Sequence, residues 1–145
     1  MTSTENTATG SRDTLSLEFE LKHPKEKVWR ALTDPTLLAE WLLPVIEFKL
    51  EEGAAFTYKT QPYPGWDGIV NCKMLEIEPH KKLKYTWGVP FLETVVTFTL
   101  APTASGTRLS IEQSGFKPDQ QREFGGARYG WNMMTGKLVE LLERV

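Results

Sequence analysis

One feature constrains this 145-residue sequence more than any other: an apolar stripe at its C-terminal end. Phe124, Ala127, Trp131, Met134, Leu138, Leu141 and Val145 recur at alternating spacings of three and four residues. That is one continuous helical face along roughly six turns. From Val45 to Gly115 the chain reads differently, as short segments of period-two alternation separated by turn residues. Strands joined by short connections must pair antiparallel. Their apolar face needs a cover, and only the terminal helix is large enough to provide one. The expected class is α+β, with a curved antiparallel sheet wrapped around a long C-terminal helix. Gly125, Gly126, Gly130 and Gly136 lie off the stripe. Each costs about 1 kcal/mol against Ala in a helix interior, so packing rather than propensity has to hold this helix.

The rest of the chain fills in the order. Leu15, Leu17, Phe19 and Leu21 alternate with Ser16, Glu18, Glu20 and Lys22, which predicts a first strand with one buried face. Pro24 has no N–H to give to a helix interior, so it can only open a helix, with Val28, Trp29 and Leu32 inward. Asp34-Pro35 repeats the signal as N-cap and first helical residue, and this second short helix runs to about Trp41. Six strands then follow. Ile46, Phe48 and Leu50 alternate in the first of them. Phe56 and Tyr58 mark the next, and Gln61–Asp67 is a Pro-Gly loop. A longer strand spans Gly68–Glu78. Leu83, Tyr85 and Trp87 alternate before Gly88-Val89-Pro90 breaks the run. Leu92–Leu100 and Arg108–Gln113 close the series around a loop at Pro102–Gly106. Residues 14–145 are expected to form a single domain behind a flexible tail over 1–13.

Composition removes several function classes. Lys and Arg total 17 against 19 Asp and Glu, so the chain lacks the basic field that nucleic-acid binders use. A lone cysteine, Cys72, closes no disulfide, and with only His23 and His80 beside it no standard zinc site is expected. Cys72 reads as a buried thiol, because alternation sends the neighbouring Lys73 to the other face. Neither histidine has a nucleophile or acid nearby in the pattern. No phosphate-binding glycine loop and no nucleophile elbow occur. The polar opening stretch has no apolar signal segment, and no apolar run is long enough to span a membrane, so a cytoplasmic protein without cofactor or metal is expected.

Three segments then resemble a known family. They are PKEKVWRALTDPTLLAEWL from Pro24, MLEIEPHKKLKYTW from Met74, and GWNMMTGKLVELLERV from Gly130. In that order they are similar to the opening, the middle and the closing helix of the activator of heat-shock-protein-90 ATPase homologue-like family. That family belongs to the START-like, birch-pollen-allergen-like superfamily, and the resemblance extends from Leu15 to Val145. It implies the helix-grip fold, in which sheet and helix enclose an apolar cavity. It does not imply one activity, since members include lipid and polyketide binders, cyclases and chaperone-binding domains.

The candidate ligand-binding residues follow from both readings. Trp87, Phe98, Trp131 and Met134 are expected to face the space between sheet and helix, with Trp41 and Met74 completing the set. Composition and spacing leave open whether they fill a core or line a cavity. Tyr63 and Trp66 sit on the Pro-Gly loop, placed to cover a cavity mouth. Arg128 borders the stripe one turn before Trp131, where it either reaches solvent or meets an anionic head group. The expected function is binding of an apolar, lipid- or polyketide-like small molecule without catalysis. The alternatives are a co-chaperone-like protein-interaction domain, with a protein partner, and a cyclase- or dehydratase-type enzyme.

Overall fold

The protein is described by a computed structural model over residues 13–62 and 64–145. The expected tail lies outside these residues up to position 12, and Tyr63 lies outside them too.

Strand β1 (Thr14–Leu21) opens the fold, and its apolar residues Leu15 and Leu21 are buried as the alternation requires. Helix α1 (Lys25–Thr33) follows Pro24, whose carbonyl accepts from the Lys27 and Val28 amides. Helix α2 (Pro35–Trp41) is capped by the Asp34 carboxylate, which accepts from the Thr36 amide at 2.9 Å. The strands are then β2 (Val45–Ile46), β3 (Ala55–Lys59), β4 (Ile69–Glu78), β5 (Lys82–Val89), β6 (Leu92–Thr103) and β7 (Gly106–Ser114). Helix α3 (Gln121–Arg144) closes the chain.

All seven strands form one antiparallel sheet in the order β1-β7-β6-β5-β4-β3-β2. The first two strands therefore lie at opposite edges. Helices α1 and α2 carry the chain across between them, and β2 to β7 return as successive antiparallel neighbours, through long loops after β2 and β3 and short turns thereafter. Helix α3 lies close to α1, α2 and β1. It meets the central strands through long side chains, with Trp131 reaching Trp87 and Phe98. A buried core of leucines, valines and aromatics fills the space between these layers.

Three local expectations need correction. The strand predicted through Phe48 and Leu50 stops at Ile46, because Glu47 adopts a left-handed backbone (φ 58°) that no ladder accommodates. Strand β5 continues through Gly88 and Val89 to pair with β6, so the break falls at Pro90-Phe91 alone. The helical stripe ends one residue early, since Val145 is the half-exposed cap of α3 and not part of its face. One feature was absent from the sequence reading. The pairing of β4 with β5 shifts between Met74 and Glu76, so inward positions run Cys72, Met74, then Ile77. Glu76 is left outside, where it meets Lys82 at 3.3 Å and Lys84 at 3.5 Å.

Candidate functional site

The sheet supplies the floor of a cavity of about 330 Å³ under the N-terminal half of α3. Parity along β5 turns Leu83, Tyr85 and Trp87 inward, and parity along β7 turns Leu109, Ile111 and Gln113 inward. Trp87 and Gln113 thus reach the cavity. On the helix side, Glu123, Gly126, Gly130 and Met134 fall at spacings of three, four and four, so one face of α3 roofs it. A side-chain carbon built on Gly126 would meet nothing within 4 Å, so no neighbour forces a glycine at this position of the cavity lining.

Two turns form the lip. The loop between β3 and β4 brings Trp66 over the opening, and Trp66 Nε1 donates to the Ile69 carbonyl at 2.9 Å. That loop is pinned at its base by the Thr60 amide donating to the Gly68 carbonyl at 2.8 Å. Gly68 is required there: its φ is +80°, and a β-carbon would collide with the Thr60 carbonyl oxygen. The β5–β6 turn supplies Phe91, whose carbonyl accepts from Gln120 Nε2 at 3.0 Å just before α3 begins.

The floor holds a one-way chain of hydrogen bonds. An indole N–H can only donate, so Trp131 Nε1 fixes the Gln113 carbonyl oxygen at 2.8 Å. The other end of that amide, Nε2, then donates to Thr94 Oγ1 at 2.8 Å, and the Thr94 hydroxyl donates to the Trp87 carbonyl at 3.1 Å. The polar groups of this hydrogen-bond chain thereby pair with one another. Trp87 and Trp131 stand 5.6 Å apart at 56°.

Below Trp87 lies a second polar inclusion of different character. Tyr58 and Tyr85 are fully buried and share one hydrogen bond, hydroxyl to hydroxyl, at 2.7 Å. Desolvation raises both phenols well above their ordinary range, and it pushes the Cys72 thiol up to about 12. All three are neutral at physiological pH, so they give the site no general base and no thiolate nucleophile.

The structure brings Trp66, Trp87, Trp131 and Met134 together around the cavity. It places Trp41, Met74 and Phe98 elsewhere, in the sealed core. The Trp41 indole is used internally, donating to the Ala31 carbonyl at 2.8 Å and locking α2 to α1. Arg128 is exposed, with its guanidinium 5.6 Å from the Phe124 ring rather than over the opening. Sequence reasoning missed Gln113, Glu123 and Phe91. The first two were within reach: Gln113 continues the inward parity of Leu109 and Ile111, and Glu123 precedes Gly126 and Gly130 by three and seven residues.

Other groups have structural work. His23 lies between Lys27 Nζ, 3.4 Å from its Nδ1, and the Glu143 carboxylate, 2.9 Å from its Nε2, tying β1 to the end of α3. His80 packs edge-on to Trp29. A larger hollow of about 530 Å³ occupies the outer sheet face over Gly88, walled mainly by outward positions such as Asn71, Lys73, Thr86 and Glu93. Its lining comes from strand residues and the Ser114-Gly115 turn alone, with no residue of α3 to roof it. Among the described residues no cluster of metal-ligating side chains occurs, and no helix is long and apolar enough to cross a membrane.

An antiparallel sheet curved around a long C-terminal helix, with two short helices after the first strand, is the helix-grip fold of START-like proteins. Within that class, the chain belongs to the family described as Activator of Hsp90 ATPase homolog 1-like protein, whose model matches residues 22–143. Solved structures agree. A Mesorhizobium loti protein is 45% identical, with a TM-score of 0.84 over 91% of this chain and 98% of its own. A Chromobacterium violaceum protein is 30% identical, with a TM-score of 0.77 over 90% and 98%. DynU16, from the dynemicin biosynthetic locus, shares the fold at 24% identity and a TM-score of 0.75, over 90% of this chain and 47% of its own. No curated protein matches the sequence significantly.

Proposed function

We propose that this protein binds an apolar small molecule in the cavity between its sheet and the N-terminal half of α3. One observation carries the reading: three tryptophans and Met134 surround open space that the helix roofs partly with glycine. A wall built for stability alone would place alanine or leucine where Gly126 and Gly130 stand, at a gain of about 1 kcal/mol for each Ala. Met134 adds a flexible, polarisable surface that adapts to different shapes. The fold shared with DynU16, a protein of a biosynthetic locus, supports a small-molecule role.

A thermal-shift screen of fatty acids, sterols and flat aromatic compounds tests this. A ligand at about 100 times its Kd stabilises the fold by about 2.7 kcal/mol. In a chain of this size that is a melting shift of roughly 5–15 °C. Met134→Trp fills the cavity and should abolish the response. If no compound shifts the native protein, or if the variant responds equally, the reading fails.

A second reading, protein interaction in the manner the family name describes, is favoured by the outer side of α3. Tyr129 is 71% exposed and Met133 48% exposed, one turn apart on that surface. A rise in ATPase rate when this protein is added to the heat-shock chaperone, lost in Tyr129→Ser, would support it.

A further inference from the structure

The rings around the cavity are apolar, but its rim is charged, and the sign of that charge narrows what can bind. Glu123 lines the cavity, is half-buried, and makes no ion pair and no hydrogen bond among the described residues. Arg128, five residues further along α3, does not neutralise it, since it is exposed and its guanidinium lies over Phe124. A carboxylate left unpaired beside an apolar enclosure favours a cation and repels an anion. The aromatic part of the wall has the same preference. Trp66, Trp87, Trp131 and Phe91 present aromatic rings, and the negative faces of such rings, tryptophan above all, attract ammonium groups within about 6 Å.

Resting on the cavity reading above, we propose that the bound molecule is an amine: a ring-bearing apolar body carrying a protonated or quaternary nitrogen, with the body among the tryptophans and the nitrogen at Glu123. Of the two readings the sequence left open for Arg128, solvent or an anionic head group, this proposal sets the second aside. There is a competing role for Glu123, because a carboxylate in the first turn of a helix also interacts favourably with the helix dipole. The two roles differ in outcome. A dipole role changes stability alone, whereas a recognition role changes which ligand is preferred.

Three probes of one shape separate them: 1-naphthylmethylamine, 1-naphthylmethanol and 1-naphthoate, titrated calorimetrically at pH 7. In the native protein the amine should bind about five- to tenfold more tightly than the alcohol, with the carboxylate weakest. The ratio of amine to alcohol affinity should shrink in high salt and fall to within about twofold in Glu123→Gln, while Glu123→Asp keeps much of it. Equal binding of amine and alcohol by the native protein overturns the amine proposal and leaves the cavity reading intact. A ratio unchanged in Glu123→Gln also overturns it and assigns Glu123 to the helix dipole. If none of the three probes binds, the cavity reading falls together with the amine.

Discussion

The two halves of α3 do different work on one stripe. Beyond Thr135 the helix is sealed: Leu138, Leu141 and Leu142 are each 1% exposed or less and belong to the continuous core. Before Thr135 only Trp131 is buried, while Phe124, Ala127 and Met134 are half-covered and Gly126 and Gly130 line the cavity without a side chain. The same periodicity therefore yields an anchor at one end and a roof at the other. What separates them is side-chain volume, not pattern. A helix that anchors needs leucine at every inward position, and a helix that roofs a cavity needs them left small.

The largest effect should come from breaking the anchor. Leu138→Ala removes a fully buried side chain in a close-packed region and should cost about 2–5 kcal/mol in urea melts. Met134→Ala, four residues earlier, trims a half-covered wall and should cost under about 1 kcal/mol, since that side chain already borders open space. Equal losses would mean that the two halves pack alike and that the distinction is false.

Alkali probes the dry layer beneath the roof. Burial holds Tyr58, Tyr85 and Cys72 in their neutral forms, so each ionises at higher pH in the native protein than in the unfolded chain. The native state thus keeps protons that the unfolded state releases, and stability is fully present below the unfolded values and falls as pH rises above them. The decline should begin near pH 9 with the thiol and steepen past about 10 as the phenols join, at up to about 1.4 kcal/mol per pH unit for each group. Urea midpoints measured from pH 7 to 11 read this directly. Cys72→Ala should remove the earliest part of the fall. A flat profile would show that water reaches these groups.

The anchor was legible in the sequence and the roof only partly so. Leu138 and Leu141 announce themselves through spacing, as do the alternating strands and the Asp34-Pro35 cap, because burial on a regular element leaves a periodic trace. An opening leaves no such trace. Phe98 and Met74 looked like cavity residues for the same reason that Trp87 did, namely inward parity on a strand. Distance from the end of the sheet decides between them, and parity carries no distance. The shifted pairing after Met74 and the left-handed Glu47 were equally silent, being set by neighbouring strands rather than by local sequence.

A smaller effect tests whether the floor of the open end is dry. Gln113→Leu keeps much of the volume but strands the Trp131 indole N–H and removes the amide N–H that the Thr94 hydroxyl oxygen accepts. The loss of those partners should cost about 1–3 kcal/mol if no water replaces the amide. A cost near zero would place water within reach of Trp131, and the cavity would then be wetter than its ring-lined walls imply.

The smallest effect is the most discriminating, because its sign is opposite. Gly126 has a helical backbone, and a methyl group there would meet no atom within 4 Å. On propensity alone, Gly126→Ala should stabilise the protein by about 1 kcal/mol, a rise of a few degrees in Tm. Gly136→Ala should do the same, since that position is equally open and lies on the sealed half. The two gains should be equal without ligand and diverge with one. A methyl at Gly126 enters the space the ligand occupies, so ligand stabilisation should shrink there and persist in Gly136→Ala. If both variants keep the full ligand response, the glycines over the cavity are incidental, and the roof is no more adapted to a guest than the anchor is.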